Sequence, residues 1–172
     1  MDAVFLSRIQ FALAAGFHFI FPPLTLGMGL IIFINETIFI RTGNVMNKNI
    51  SKFLVKILAL VFSIGVATGI VLEFSFGTNW SNYSRIVGDI FGAPLAAEAI
   101  IAFFLESVFI GVLLFGRDRV SERVYWVSTF LVFFGSHLSG LWIIIANSWM
   151  QTPAGFAIEG GRAVLTSFSE AA

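Results

Sequence analysis

The chain has 172 residues, of which 58% are hydrophobic and 12% charged, and its ten basic and ten acidic residues give a formal net charge of zero. A soluble domain carries about 25% charged residues, so this composition is typical of a protein that lies in a membrane. The sequence contains no block of basic residues of the kind that would indicate a nucleic-acid partner. The absence of cysteine excludes disulfides, thiolate metal sites, iron–sulfur clusters and covalently attached c-type haem.

Four apolar segments are long enough to cross a bilayer, which takes about 20 residues. They run over residues 9–40, 53–76, 90–115 and 124–149. The first is longer than one crossing and contains Pro22-Pro23, so we expect a kink there. Asp2 and Arg8 disagree with the charge and apolar pattern of a signal peptide, so we interpret this segment as a retained span.

Basic residues between the spans predict the orientation of the chain. The connections after the first and third spans, together with Lys56 at the start of the second span, hold seven of the ten basic residues. The positive-inside rule therefore places these connections in the cytoplasm and both termini outside. No segment shows strand alternation, and the Gly-rich tail after Pro153 is predicted at most to begin an interfacial helix. We predict an all-α fold, a single transmembrane domain over residues 1–172 that forms a bundle of four transmembrane helices.

Four carboxylates lie inside these apolar segments, where a charged group at the bilayer centre costs about 2.5–3.5 kcal/mol. They are Glu36, Glu73, Glu98 and Glu106. On an α-helix, Glu98 and Glu106 would be separated by a net rotation of about 80° and a rise of about 12 Å. Both can then face one side of the span at different depths, as a proton route requires. Alternatively, they are neutral groups hydrogen-bonded within the bundle.

Two histidines lie in the spans. His18 is flanked by Gly16, Phe17 and Phe19, and small and aromatic neighbours suit a planar cofactor whose iron an imidazole can bind. His137 has a similar surrounding, and the two histidines could ligate one haem, although their spacing does not require it. For each, the alternative is a polar side chain hydrogen-bonded between helices. The pair of glycines at 65 and 69 is a helix-packing signal.

A set of short motifs occurs in order along the chain. They are Leu6-Ser7-Arg8-Ile9-Gln10-Phe11, His18-Phe19, Pro23-Leu24-Thr25-Leu26-Gly27, Gly65-Val66-Ala67-Thr68-Gly69, Glu73-Phe74, Phe76-Gly77-Thr78-Asn79-Trp80, Gly88-Asp89-Ile90-Phe91-Gly92-Ala93-Pro94-Leu95, Glu98, Phe103-Phe104-Leu105-Glu106-Ser107 and Ala146-Asn147-Ser148-Trp149-Met150-Gln151-Thr152-Pro153. Through these motifs, essentially the whole chain resembles the N-terminal part of subunit I of the cytochrome bd quinol oxidases.

The resemblance implies a role in oxidising quinol and reducing dioxygen to water. In the family, the histidine matching His18 is an axial ligand of a high-spin haem iron. The glutamates matching Glu98 and Glu106 lie beside the haems on the proton path, to which the serine matching Ser139 also belongs. No ligand role carries over to His137.

The resemblance also implies cofactors and partners. The cofactors would be b-type haem, d-type haem or both, with His18 and Glu98 in the haem site and quinol as substrate. The partners would be subunit II, a small accessory subunit and membrane lipid, in a bacterial or archaeal cytoplasmic membrane that the chain crosses several times.

Subunit I of this family is considerably longer, and its other haem ligands and its quinol loop correspond to positions beyond residue 172. We therefore expect the chain to be truncated relative to the family and inactive by itself. Two alternatives remain: a small non-catalytic haem-binding or assembly module, and a haem-free proton-conducting or transport fragment.

Overall fold

A computed structural model describes the backbone of residues 2–171 and the side chains in that range, apart from those of residues 93, 94, 96–99 and 101–103. The elements in chain order are α1 (Ala3–His18), α2 (Phe21–Thr42), α3 (Val45–Gly77), α4 (Ser81–Glu98), a π-helical segment (Ala99–Glu106), α5 (Ser107–Phe115), α6 (Glu122–Gln151), β1 (Phe156–Glu159), β2 (Arg162–Leu165) and α7 (Phe168–Ala171).

The first apolar segment is interrupted where the kink was predicted, by a two-residue turn between α1 and α2. Pro22 and Pro23 lie in the first turn of α2, where the missing N–H of proline leaves no helical hydrogen bond unmade. The break makes His18 the last residue of α1. The prolines therefore decide that this histidine lies at a helix end.

A short turn folds α2 back on α3. Gly43 adopts φ 71°, which a residue without a Cβ tolerates easily, and its N–H bonds to the carbonyl oxygen of Phe39 at 2.8 Å. The Asn44 side chain then caps α3 by accepting a hydrogen bond from the N–H of Met46 at 3.0 Å. Because the connection is this short, α2 and α3 pack against each other over most of their length.

Three helical stretches of the described chain are long and apolar enough to cross a membrane. They are Ala3–Thr42, Val45–Gly77 and Glu122–Gln151, and the apolar helix Phe104–Phe115 is shorter. The prediction of a mostly helical, multi-pass membrane protein is confirmed. Residues 81–115 are helical throughout and include the predicted span 90–115. The count of four crossings and the placement of the termini stay predictions.

The helices enclose two cores. The larger consists of side chains from α2, α3, α5 and α6: Ile32, Val55, Leu58, Ile110, Leu113, Tyr125 and Val132. The smaller joins α4, the end of α6 and β2 through Val87, Ile90, Phe91, Trp149 and Ala163. The first core packs together α2, α3 and α6, which carry Glu36, Thr68 and Ser136 of the sites described below.

Two details of the sequence prediction are wrong. The tail is not purely helical, because β1 and β2 pair as an antiparallel hairpin in which Glu159 lies opposite Arg162. Gly160 and Gly161 both have positive φ, 55° and 79°, as a two-residue hairpin turn of this kind requires. The Gly-Gly pair was a usable signal that the prediction passed over.

The second error concerns the segment between Glu98 and Glu106, which is π-helical rather than α-helical. The net rotation of about 80° assumed the α-helical step, so it does not apply here. Single π turns inside α-helices occur frequently at functional sites. The segment ends at Glu106 and so adjoins one of the predicted proton-path residues.

Candidate functional site

His18 is held from across the bundle by Thr68 of α3. Its Nδ1 lies 2.9 Å from the Thr68 hydroxyl oxygen. That hydroxyl also lies 2.9 Å from the carbonyl oxygen of Ile64 and 3.0 Å from that of Gly65. Carbonyl oxygens only accept hydrogen bonds, so the single hydroxyl proton has two carbonyl oxygens and Nδ1 of His18 within its reach.

This geometry is compatible with the tautomer in which Nδ1 of the His18 ring is protonated. When the Thr68 proton points to a carbonyl oxygen, the Thr68 oxygen accepts, and Nδ1 of His18 is the donor. Nε2 of the neutral ring then carries the lone pair. A histidine that donates through one ring nitrogen and is free to coordinate through the other is the usual form of a metal-ligating imidazole.

The glycines of α3 provide the space for this contact. A Cβ added at Gly69 would lie 3.2 Å from Cε1 of His18, and one added at Gly65 would lie 3.2 Å from Cβ of Phe21. The pair was predicted as a packing signal, and the structure shows what it packs against. Gly69 admits the His18 ring, and Gly65 admits the start of α2.

Glu106 is buried and accepts a hydrogen bond from the hydroxyl of Ser136 on α6. The same hydroxyl oxygen lies 2.8 Å from the carbonyl oxygen of Val132. Gly135 makes room for the carboxyl side chain, because a Cβ there would lie 3.4 Å from Cγ of Glu106. The end of the π-helical segment thus packs into a notch in α6.

The Ser136 hydroxyl has one proton and two neighbours that can accept it, Glu106 and the carbonyl oxygen of Val132. When the proton points to Glu106, the carboxyl group accepts as a carboxylate. When it points to Val132, a protonated Glu106 can donate to the serine oxygen. The contact therefore persists in both protonation states of the carboxyl group, as a proton-relay position requires.

The other predicted proton-path residues have different outcomes. Glu98 lies outside the described side chains. Ser139 is half-buried on α6, three residues after Ser136, and takes part in contacts of its own. The sequence selected Ser139 and missed Ser136, although Ser136 lies beside Gly135, whose missing side chain was the available signal.

Glu36 is neutralised by a cation. Its Oε1 lies 2.6 Å from Nη1 of Arg117, and the two side chains are only 3% and 10% exposed. The Arg117 guanidinium carbon lies 4.3 Å from the ring centre of Tyr125 and 5.3 Å from that of Phe39. This cluster of Glu36, Arg117, Tyr125 and Phe39, the inner cluster, joins α2 to the connection before α6 and to the start of α6.

Neither His137 nor Glu73 joins these sites. His137 is exposed, and its Nδ1 lies 2.8 Å from the carbonyl oxygen of Phe133 one turn earlier on α6. Glu73 is exposed on α3. No contact between His18 and His137 occurs among the described residues, so the structure does not support the pairing of the two histidines.

Comparison with known proteins places this architecture in a family. The sequence profile described as cytochrome bd terminal oxidase subunit I matches residues 6–172. The chain belongs to the cytochrome bd terminal oxidase subunit I family. The expectation drawn from the short motifs is confirmed.

Individual members of the family are closely similar. Cytochrome bd-II ubiquinol oxidase subunit 1 of Escherichia coli (strain K12) is 53% identical over 171 residues, which are 98% of this chain and 33% of that protein. Cytochrome bd ubiquinol oxidase subunit 1 of Bacillus subtilis (strain 168) is 46% identical over 168 residues, 98% of this chain and 36% of the relative.

The fold has a solved counterpart. The structure of bd oxidase from Geobacillus thermodenitrificans contains a chain that matches with a TM-score of 0.88 at 28% identity, covering 96% of this chain and 38% of the other. The chain thus spans about a third of the length of the curated relatives it matches.

Proposed function

We propose that the chain acts within a respiratory terminal oxidase that oxidises quinol and reduces dioxygen to water. In this proposal His18 supplies an axial ligand to a haem iron, and Glu98, Glu106 and Ser139 belong to the path that delivers protons to the haems. Membership of the family supports the reaction. The hydrogen bond between His18 and Thr68 is the observation that carries the ligand role.

The residues around His18 fit a haem. Nδ1 is engaged by the Thr68 hydroxyl, so Nε2 is the nitrogen that would bind the iron. Phe17 and Phe19 on either side of His18 are 53% and 75% exposed, so their rings are free to pack against a macrocycle. When bound, a haem supplies the iron centre at which electrons reach dioxygen.

The residues around Glu106 fit a proton path. Reduction of dioxygen consumes protons, and inside a membrane only ionisable or hydroxyl groups and water can carry them. Glu106 and Ser136 form a pair that keeps its contact in both protonation states, and Ser139 lies about one helical turn further along the same helix. We include Ser136 with Glu98, Glu106 and Ser139 in the proposed path.

The proposal extends to partners and orientation. The designation "subunit I" of the relatives implies a subunit II. A small accessory subunit, surrounding lipid, and haem of b-type, d-type or both are proposed on the same basis. We also propose four crossings of a bacterial or archaeal cytoplasmic membrane with both termini outside, because seven of the ten basic residues lie in or near the two connections that follow α2 and α5.

The ligand role is tested by haem spectroscopy on four proteins: the wild type, His18→Ala, Thr68→Val and Thr42→Val. Each is purified in mild detergent with haem added, and reduced-minus-oxidised spectra are recorded at increasing haem concentration. We expect a haem signal in the wild type that is lost in His18→Ala. Thr68→Val should bind haem roughly 10–100-fold more weakly, because it loses the group that orients the ring.

Thr42→Val is the matched control. The Thr42 hydroxyl bonds to the carbonyl oxygen four residues earlier, like that of Thr68, but it has no contact with a histidine. Its spectrum should equal that of the wild type. A haem signal retained in His18→Ala would contradict the ligand assignment. A wild type that is helical by circular dichroism but binds no haem would favour a haem-free proton-conducting fragment.

A further inference from the structure

One face of α6 carries a row of exposed side chains whose spacing alternates between three and four residues. The row, called the α6 stripe, consists of Val127, Phe130, Phe134, His137, Leu141 and Ile144. The exposed fraction of its apolar members runs from 38% at Phe130 to 67% at Ile144. The stripe lies opposite the buried side of α6, which contributes Tyr125, Val132 and other core residues.

The period of the stripe is that of a helix-pairing seam. Alternating steps of three and four residues average 3.5, which keeps one line of side chains facing a partner helix along several turns. The lipid-facing side of a helix whose other side is buried has the same spacing, because one turn takes 3.6 residues. The polar residue at the centre of the stripe, and not the period, therefore distinguishes a packing face from a lipid-facing surface.

His137 is that residue, and it lies too deep to reach water. It is about 15 residues from either end of α6, or roughly 22 Å along the helix axis. Its side chain is also held in place: Nδ1 lies 2.8 Å from the carbonyl oxygen of Phe133, and the two ring centres are 4.4 Å apart. The imidazole cannot extend to the membrane surface as a long basic side chain does.

The contact with Phe133 also fixes the tautomer. A carbonyl oxygen only accepts, so Nδ1 is the donor and Nε2 of the neutral ring is an acceptor. Among the described residues, no group bonds to Nε2. A polar group left unpaired in hydrocarbon is costly, and polar side chains inside membranes generally face a partner.

We propose that the α6 stripe is the docking face for another membrane-spanning helix, which presents a hydrogen-bond donor such as Ser, Thr, Asn or Gln to Nε2 of His137. The helix comes from the part of subunit I that corresponds to the unmatched remainder of the relatives, since this chain spans only 33–36% of their length. The inference concerns packing and is independent of haem binding.

A second copy of the chain does not satisfy the same chemistry. In a symmetric parallel pair, His137 faces His137, so that one acceptor meets another. In an antiparallel pair centred on the stripe, His137 faces Phe134, which has no donor. The partner therefore carries a polar residue that the stripe itself does not contain.

Lipid contact along the stripe can be measured residue by residue, because the chain has no cysteine and an introduced one is its only thiol. Leu141→Cys lies on the stripe. Ile143→Cys is the matched control, since Ile143 is 47% exposed at nearly the same depth but off the stripe. Each is labelled with a bimane fluorophore and reconstituted with brominated phospholipid, which quenches a fluorophore that touches lipid.

Each labelled position is examined in two proteins. One is the 172-residue chain. The other is a chimera in which these residues replace the matching third of the E. coli bd-II subunit 1, with the native cysteines of that subunit changed to serine. We expect both positions to be quenched equally in the chain, and position 141 to lose at least half of its quenching in a folded chimera while position 143 keeps it.

Three results would overturn the proposal. Equal quenching of both positions in the folded chimera would place lipid against the stripe. Protection of position 141 already in the 172-residue chain would indicate a second copy. Equal protection of both positions in the chimera would show that the 3.5-residue line is not the docking seam.

The role of His137 is tested separately with His137→Leu and His137→Gln in the chimera labelled at position 141. Glutamine retains an acceptor oxygen, whereas leucine matches the rest of the stripe. We expect the equilibrium constant for docking, calculated from the docked and undocked fractions, to fall roughly threefold in His137→Leu, as one interhelical hydrogen bond allows, and to stay unchanged in His137→Gln. Docking of His137→Leu as strong as that of the wild type would overturn the donor assignment.

Discussion

Glu36 and Glu106 are both buried carboxyl groups in a membrane bundle, and the two regions that hold them differ in the partner they provide. In the inner cluster, Arg117 contacts Glu36 at 2.6 Å and itself lies over the Tyr125 ring. In the middle of the bundle, Glu106 accepts a hydrogen bond from the hydroxyl of Ser136. The same side chain type is therefore bound by a guanidinium in one region and by a hydroxyl in the other.

The partner of a buried carboxyl group indicates which role that group can have. A guanidinium stabilises the ionised carboxylate, and the pair of Glu36 and Arg117 joins α2 to the connection before α6. A hydroxyl both donates and accepts, so Ser136 can stay bonded to Glu106 in either state. A buried carboxyl group beside a hydroxyl suits proton transfer, and one beside an arginine suits structural support.

The largest effect that would test this comparison is expected from Arg117→Leu. The substitution leaves the Glu36 carboxylate buried without its cation, and breaking a buried pair in this way costs about 3–5 kcal/mol. The free energy of unfolding, measured by denaturant titration in mild detergent micelles, should fall by that amount. Arg119→Leu is the control, because Arg119 is exposed two residues away.

The double variant Glu36→Leu/Arg117→Leu sharpens the same point. Replacing both members of a buried ion pair by apolar side chains is often close to neutral, so the double variant should recover most of the stability that Arg117→Leu loses. Equal destabilisation in the single and double variants would mean that Arg117 acts through Tyr125 and Phe39 rather than through Glu36.

Glu106→Gln is expected to have an intermediate effect, and on activity rather than on the fold. The amide has nearly the same shape and can still contact Ser136, but it cannot release and regain a proton. In an assembled oxidase complex that contains this chain, quinol-driven oxygen uptake should fall by roughly tenfold or more. The melting profile should stay close to that of the wild type. Unchanged oxygen uptake would remove Glu106 from the proposed proton path.

Ser136→Ala is expected to have the smallest effect. Removing the hydroxyl leaves the buried Glu106 carboxyl without this partner, at a cost of about 1–2 kcal/mol in the free energy of unfolding. Ser128→Ala is the matched control: Ser128 is also buried on α6 and bonds to the carbonyl oxygen four residues earlier, but it contacts no carboxylate. Equal destabilisation by the two substitutions would show that the contact with Glu106 contributes nothing to stability.

Much of the helical framework was predictable, because it depends on local properties. Each span is a run of apolar residues long enough for the bilayer, and the predicted ranges 53–76 and 124–149 lie inside α3 and α6. The prolines at 22 and 23 predicted the break that ends α1. The hairpin also depends on a local property, the positive φ angles of Gly160 and Gly161, so the Gly-Gly pair could have predicted its turn.

The sequence predicted which residue types belong to the candidate site, but it did not predict which residues they contact. His18 and Glu106 stood out because a polar group in an apolar span is costly and therefore needs a reason. Thr68, Arg117 and Ser136 did not stand out, since each is an ordinary residue in its own segment. The π-helical step before Glu106 also escaped prediction, because the sequence of that segment is compatible with an α-helix.

The sequence alone thus indicates that the chain lies in a membrane and where its helices run. It also indicates which polar residues need an explanation and, through its short motifs, the family. The contacts of Thr68 with His18, of Arg117 with Glu36 and of Ser136 with Glu106 are known only from the three-dimensional structure. These partners are 50, 81 and 30 positions apart. The physical reason is that hydropathy acts within a segment, whereas each partner depends on how two helices are rotated and packed against each other.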